Sequence, residues 1–431
     1  MPRVALVYPY FRTHAPTEIL FTPLGIASLA AQLHQLGIEI RVFDCTFKTF
    51  DQIRKELCSY SPDIIGIYSM ITLSRNAFRM AQIVRQDLPG SLLAAGGPLP
   101  TLFPERFIPA FDVIFRGEAD LSFPQFCASY FSFSSCNRVN LSKMDLRSHA
   151  GLYVHLDGIH AENPTVHHSE KQLNTFPLPY RGDFDHPAYQ AAGLERDGTR
   201  TTSIITTYGC SFNCDFCSKP IFGSLFRRRI LDSVFNEISD IQKWGYDNLW
   251  IADDNFTLDL NYLKEFCERM RAVPLGWTCL SRVNGITPEI ARMMKSAGCR
   301  KVYFGLESGS QETLRLMHKR ASVEDGIKAV HTFRDNGVET GGFFIVGYPG
   351  ETLESIESTF QLALSLPLNE ISFNVPFPLP GSTLFDKVSG VNPTMDWNVE
   401  NEVTFVYASE FDETWLRARI AETMRQFATS D

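Results

Sequence analysis

The chain has 431 residues, a formal net charge of −9, 44% hydrophobic and 21% charged residues; at roughly 100–200 residues per domain it is long enough for two or three ordinary folded domains. Its acidity and lack of a long basic block argue against a generic nucleic-acid binder, because phosphate contacts need clustered Lys and Arg, so nucleic acid is not an expected partner. The opening MPRVALVYPYFRTHAP lacks the apolar run and small-residue cleavage site of a signal peptide, and no stretch reaches the ~18 uncharged apolar residues of a membrane span, which sets the expectation of a cytoplasmic protein without a membrane span.

Residues 1–138 alternate strand-like and helix-like segments. VALVYP (4–9) is a short apolar run, and PLGIASLAAQLHQLG (23–37) has helical periodicity with a glycine stop. IEIRVFD (38–44) and DIIGIYS (63–69) read as strands, SRNAFRMAQIVRQDLPG (74–90) as a helix, LLAAGG (92–97) as a strand meeting a turn, and DVIFRGEAD (112–120) as a strand plus loop. Such alternation predicts a parallel, doubly wound, Rossmann-like sheet, whose ligands bind at the carboxyl ends of the strands. Those ends carry Tyr8, Asp44, Ser69, Gly96, Gly97, Gly117 and Glu118.

Residues 139–200 carry prolines, polar loops and His155, His160, His167 and His168, and read as a surface linker, with the His167-His168 pair in a solvated loop. From 201 the alternation restarts. TTSIITTYG (201–209) is a strand, LDSVFNEISDIQKWG (231–245) a helix, DNLWIADDN (247–255) a strand running into acids, and 259–272 a helix. Strands at 276–282, 301–309, 339–352 and 370–382 alternate with helices at 287–298 and 322–336. This predicts a partial (β/α)6 barrel over 201–386, with functional residues at the carboxyl ends of its strands. Residues 387–431 form a C-terminal extension in which Trp415, Leu416, Ile420 and Met424 fall near helical spacing, as expected of a helix capping the open barrel.

Three of the ten cysteines cluster: TYGCSFNCDFCSKPIFG (207–223) places Cys210, Cys214 and Cys217 at CxxxCxxC. Cys45, Cys58, Cys127, Cys136, Cys267, Cys279 and Cys299 are scattered and read as small buried hydrophobes. A structural zinc takes four protein ligands, and no fourth stands near the loop. A dithiol redox pair would use Cys214 and Cys217 and leave Cys210 idle. A [4Fe–4S] cluster on three cysteines leaves one iron open, and that reading uses every thiol of the loop. Phe216 could pack over a nucleobase-sized ring or fill core.

These residues resemble the radical S-adenosylmethionine (SAM) superfamily, whose hallmark is CxxxCxxC after the first barrel strand. Further elements follow in order: Arg227 and Arg229 with Val234, Glu237 and Ile238; WIADDNF (250–256); SRVNGITPEIARMMKSAGC (281–299); YFGLESGS (303–310); GGFFIVGYPGET (341–352); and PFPLPGSTL (376–384). With the amino-terminal α/β segment, the chain resembles the cobalamin (B12)-binding branch, also called class B methylases.

The resemblance implies a [4Fe–4S] cluster on Cys210, Cys214 and Cys217, whose open iron chelates SAM. Reductive cleavage of SAM then gives a 5′-deoxyadenosyl radical that abstracts a substrate hydrogen, and methylcobalamin supplies a methyl group. It implies SAM contacts from Phe216, Asp253, Arg282 (to the carboxylate), Glu307 (to a ribose hydroxyl or the amine), Gly347 and Gly350. For Asp253 and Asp254 the competing reading is a strand-end acid held by backbone N–H groups, and for the two glycines a tight turn. Ser69, Gly96, Gly97 and Gly117 are implied to line the slot for the cobalamin tail. The axial-histidine motif DxHxxG of many cobalamin domains does not occur, so no axial histidine is expected.

The leading expectation is a cobalamin-dependent C-methyltransferase. A cyclase or rearrangement enzyme of the porphyrin-ring type, or a radical SAM enzyme with a vestigial B12 domain, are the alternatives. Methylthiolation predicts further cluster cysteines in the amino-terminal domain and a basic carboxy-terminal module, both missing here. A non-enzymatic sensor predicts loss of Arg282, Glu307 and the GYPGE turn, all of which are present. The expected partners are a small-molecule or peptide substrate and a reductant such as flavodoxin or ferredoxin; of the 34 phenylalanines, Phe373, Phe377 and Phe385 near the barrel exit suit a bulky apolar or aromatic substrate, with ordinary core as the leading reading of them.

Overall fold

The computed structural model describes residues 2–14, 18–133, 138–156, 158–379, 381–388 and 405–429. The chain divides into two compact units: residues 1–201 with 220–223 and 228–245, and residues 202–219 with 224–227 and 246–431.

The first unit is built on a seven-stranded sheet. Its parallel part comprises β1 (Arg3–Tyr8), β2 (Glu39–Asp44), β3 (Ile64–Tyr68), β4 (Leu92–Gly96) and β5 (Val113–Phe115), in the order β2-β1-β3-β4-β5. β3, β4 and β5 are apolar runs and β1 nearly so, as expected when both faces are covered by helices, whereas the edge strand β2 alternates, with Glu39 and Arg41 exposed. Val4, Leu6, Ile64, Leu92, Ala94 and Val113 share one core with Ile26, Ala30 and Leu33 of helix Leu24–Gln35. Helix Phe50–Tyr60 opens on a capping box in which Thr49 and Gln52 exchange side-chain and backbone bonds.

The stretch read as a linker departs from expectation. β6 (Leu152–Leu156) and β7 (Ile159–Glu162) form a hairpin that adds antiparallel to β5 and extends the sheet. Its alternation is interrupted by histidines that pair across the hairpin, His155 opposite His160, so the polar residues masked a strand pattern. Of the His167-His168 pair, expected in a solvated loop, His167 is exposed but His168 is not. His168 is buried, its N–H donates to Glu118 at 3.0 Å, and His167 Nδ1 meets the other Glu118 oxygen at 2.9 Å. Helix Leu231–Lys243 also belongs to this unit. Its buried Glu237 accepts from Arg229 at 2.6 Å and from Arg181 at 2.7 Å, which explains the Arg229 and Glu237 signature.

The second sheet has six strands in sequential order: β8 (Thr201–Ile204), β11 (Asn248–Ile251), β12 (Gly276–Ser281), β13 (Cys299–Glu307), β14 (Glu339–Ile345) and β15 (Glu370–Asn374). Two short strands, β9 (Thr207–Tyr208) and β10 (Arg227–Arg228), pair with each other beside it. The pairs from β11 to β15 are parallel, and strands laid down in sequence with helices between them make the open, partial barrel. The single strand expected over 201–209 is thus two, broken at Ile205-Thr206.

Helix Glu413–Ala428 packs on helix Leu353–Ser365, where Arg419 pairs with Glu357. Of its apolar stripe Leu416 is fully buried, whereas Trp415 and Met424 are each 37% exposed. Cys58 is exposed rather than buried, and Cys136 lies outside the described residues. No helix among the described residues is long and apolar enough to cross a membrane.

Candidate active site

The cysteine loop leaves β9 and runs without helix or strand to Lys219. Its thiols are free of disulfides and half-buried. The loop is shaped by its own backbone and by one lysine: Cys217 N–H donates to Cys214 O at 3.1 Å, and Lys219 Nζ donates to Cys210 O at 2.7 Å and Phe212 O at 2.6 Å. Burial pushes the Cys217 thiol up to about 11, with the Lys219 charge pulling the other way. Among the described residues no three His, Cys, Asp or Glu side chains are already drawn together as a metal site. Phe216 turns inward onto a small core of Met317, Ile345, Tyr348 and Leu384.

Arg282, at the end of β12, reaches this loop. Nη1 donates to Cys214 Sγ at 3.2 Å, Nε to Asn284 Oδ1 at 3.2 Å, and Nη2 to the Lys319 carbonyl. Its guanidinium lies 3.8 Å over the Phe212 ring. Glu307 ends β13 at a register shift and holds φ +63°, a left-handed conformation that a non-glycine residue adopts at a cost. Its Oε1 accepts from Lys319 Nζ at 2.5 Å, both side chains being nearly buried. The room for this pair comes from Gly305, where a Cβ would stand 2.5 Å from Glu307 Oε1 and 2.7 Å from Lys319 Nζ. Lys319 was not found by sequence reasoning, because its neighbour Glu307 lies twelve residues away and no local pattern links them.

Asp253 is fully buried and serves the strand ends. It accepts from Thr206 N at 2.7 Å, Thr206 Oγ1 at 2.6 Å and Thr207 Oγ1 at 2.7 Å, so it fixes the entry to the cysteine loop. Burial raises its carboxyl to about 6 in spite of those bonds. Asp254 is exposed and acts electrostatically on Lys219 and Cys217. Gly347 and Gly350, at φ +80° and +85°, make the turn after β14. A Cβ on Gly347 would meet Phe405 at 2.7 Å and Leu416 at 3.2 Å, so the turn is packed beneath side chains. In the same turn Glu351 accepts the Tyr348 N–H at 2.8 Å, while its Oε1 and the Tyr348 hydroxyl are buried without a hydrogen bond. Burial lifts the Glu351 carboxyl to about 7.

In the first unit, the four residues expected at the strand ends are drawn into one network. Ser69 N–H donates to Gly96 O at 2.8 Å, and the Thr101 hydroxyl donates to Gly97 O at 2.8 Å while accepting from Gly117 N–H at 2.9 Å. Thr101, the bridge, was missed because it sits inside the short helix Pro98–Leu102. Gly97 has φ +107°, and a Cβ there would stand 2.6 Å from Ser69 O and 2.9 Å from the Tyr68 ring. The Ser69 hydroxyl is fully buried and makes no hydrogen bond.

Residues 204–363 match the Radical SAM superfamily model and residues 16–126 the B12 binding domain model. An uncharacterized methyltransferase of Pyrococcus horikoshii is 30% identical over 393 residues, covering 87% of this chain and 80% of its own length. The chain belongs to the cobalamin-binding radical SAM family. An anaerobic magnesium-protoporphyrin IX monomethyl ester cyclase of Rubrivivax gelatinosus is 26% identical to this radical SAM chain, covering 99% of it and 77% of the cyclase. The structure of TsrM, a radical SAM methyltransferase from Kitasatospora setae with cobalamin and a [4Fe–4S] cluster bound, shares its fold at a TM-score of 0.76 and 20% identity, over 90% of this chain and 78% of TsrM.

The family's cofactors are the [4Fe–4S] cluster, SAM and cobalamin. The residues present fit them. Three free thiols on one loop match in type and number the donor set of a site-differentiated cluster. A buried hydroxyl without a partner, beside a glycine that leaves no space for a side chain, suits a polar group entering at the ends of β3 and β4.

Proposed function

We propose that this radical SAM enzyme is a cobalamin-dependent C-methyltransferase acting on a small organic substrate. The observation that carries the reading is the presence in one chain of a CxxxCxxC loop of free thiols after β9 and, at the ends of β3 and β4, glycines beside a buried, unpartnered Ser69 hydroxyl. When bound, the cluster supplies the electron that cleaves SAM to a substrate-activating radical, and cobalamin supplies the methyl group.

The chain's own residues position and charge the site. Cys210, Cys214 and Cys217 hold the cluster as thiolates, and the Arg282 N–H on Cys214 Sγ stabilises that charge, a lever that raises a cluster's potential. Lys319 fixes Glu307 through one carboxylate oxygen and leaves the second to accept from a ribose hydroxyl or the amine of SAM. Asp253 acts on the site by holding Thr206 and Thr207. The Ser69 hydroxyl would hold the cobalamin tail, with Gly96, Gly97 and Gly117 letting it approach the backbone. A flavodoxin- or ferredoxin-class reductant in a cytoplasmic setting completes the reading, with the first unit carrying the B12 module and the second unit the catalytic module; the helix Leu231–Lys243, expected within the barrel at 201–386, belongs to the first unit.

The cyclase of Rubrivivax gelatinosus, aligned over 99% of this chain, supports ring closure as a second reading. Anaerobic reconstitution with hydroxocobalamin, followed by gel filtration and metal analysis, tests the cofactor set: about four irons and one cobalt per chain are expected. Turnover with SAM and a reductant then separates the two readings. Methyl transfer yields S-adenosylhomocysteine beside 5′-deoxyadenosine, whereas 5′-deoxyadenosine alone would favour cyclisation.

A further inference from the structure

Between two of the cluster cysteines lies Asp215, a residue the CxxxCxxC pattern leaves unspecified. It is 1% exposed, and two segments distant in sequence converge on it. Its N–H donates to Met317 O at 3.0 Å, and its carbonyl accepts from Leu384 N–H at 2.9 Å. Its carboxylate meets His318 Nδ1 at 2.5 Å through Oδ1 and pairs with Lys387 Nζ through Oδ2. His318 belongs to the turn after helix Gln311–Leu316, and Lys387 ends the short helix Thr383–Lys387 beyond β15. The backbone of His318 is left-handed, φ +48°, a conformation that disfavours side chains and persists where the surroundings hold it.

We infer that Asp215 is a positioning residue for the iron–sulfur mount: the strap Lys387–Asp215–His318 fixes the segment carrying Cys214 and Cys217 to the connections that follow β13 and β15. This rests on the reading of the three cysteines as the cluster ligands. The physical reason for a strap is that the loop has no helix or strand of its own between Cys210 and Lys219. Backbone bonds tie Asp215 to Met317 and Leu384, and the carboxylate adds a charged link to each of the same two segments, through His318 and Lys387. Lys387 is on the surface side of the strap, with 42% of its side chain exposed, and touches none of the three thiols in any described contact.

The full chain is reconstituted anaerobically as wild type, Asp215→Ala and Lys387→Met. The readouts are melting of the apo chain, iron per chain, iron loss to a chelator, the midpoint potential, and the EPR spectrum of the reduced cluster with and without SAM. Lys387→Met is expected to melt like wild type, so it keeps the test decisive if Asp215→Ala fails to fold. In both variants iron is lost roughly tenfold faster, the scale seen for outer-shell partners of metal ligands, and the SAM-induced change in the EPR signal is weakened. Lys387→Arg restores both. The two substitutions remove opposite charges, so a purely electrostatic influence would shift the midpoint potential in opposite directions with iron retention unchanged. That outcome, or a wild-type EPR response to SAM in Lys387→Met, overturns the strap. A wild-type chain that takes up no cluster overturns the cluster reading itself, and is recognised by its own iron content.

Discussion

At the carboxyl ends of β3 and β4 the polar groups are small: backbone amides beside Gly96 and Gly97 and the hydroxyls of Ser69 and Thr101, whereas beyond β5 the buried Glu118 is already engaged by His167 and His168. At the ends of β12 and β13 they are long and charged, and they are bound to one another: Arg282 to Cys214 and Lys319 O, Lys319 to Glu307, with Asp215 strapped to His318 and Lys387 in the loop they border. The first rim leaves a buried hydroxyl without a partner, which is an unfavourable arrangement until something fills it. In the second rim each of these charged groups already has a partner within the protein. On the proposed function the difference matches what each rim would accommodate. A bulky cofactor tail would be met by backbone that can be approached closely, whereas a charged cluster and a sulfonium would need fixed charges already in place.

That contrast can be broken most directly at the thiols. Cys214→Ala removes a cluster ligand and is expected to reduce SAM cleavage to background while the first unit still retains cobalamin, as measured by 5′-deoxyadenosine release and by cobalt content. Next in size is the buried pair. Lys319→Met leaves Glu307 without its cation in a nearly dry position, a loss of roughly 3–5 kcal/mol, visible in urea unfolding of the apo chain. The double variant Lys319→Met/Glu307→Gln should recover much of that loss, and a single variant as stable as wild type would remove the claim that this rim is held by charge pairing.

Glu351 gives a pH signature. Its carboxyl sits at about 7 in the fold against an ordinary 4.5 because burial disfavours the charged form. Between those values the folded chain holds a proton that the unfolded chain has released. Stability therefore falls as pH rises from about 4.5 to about 7, and above that the full penalty, on the order of 3 kcal/mol, applies. Glu351→Gln should flatten this slope and raise the melting temperature at pH 8, as followed by circular dichroism across pH. The smallest effect is expected at Ser69. Ser69→Ala removes a hydroxyl that bonds to nothing in the protein, so the apo chain should melt at the same temperature or higher. Cobalamin retention should weaken by about 1 kcal/mol, roughly fivefold. A destabilised apo chain with unchanged cobalamin binding would reverse the comparison.

The elements that were legible in the sequence share one property: their signal is local. The apolar runs of β1, β3 and β4, the helix Leu24–Gln35 with its glycine stop, and the six strands of the second sheet all show their period within a few residues. The cysteine loop is legible for the same reason, since three thiols within eight residues define a donor set without reference to the rest of the chain. What was misread lacks that property. The hairpin β6–β7 lies at a sheet edge, where polar residues on the exposed face dilute the alternation, and His168 took its burial from Glu118, a residue fifty positions earlier.

The sequence by itself determined that the α/β alternation runs twice along the chain, that three thiols stand within eight residues at 210–217, and that glycines crowd the strand ends of the first alternation. Tertiary structure alone decided which polar groups are satisfied. Asp253 is held by threonines of a neighbouring strand end, Glu307 is paired with Lys319, Asp215 is clamped by His318 and Lys387, and Ser69 is left without a partner. The reason is that hydrogen bonds and ion pairs act within about 3–4 Å in space, and a parallel sheet brings together residues that the chain separates by a whole crossover.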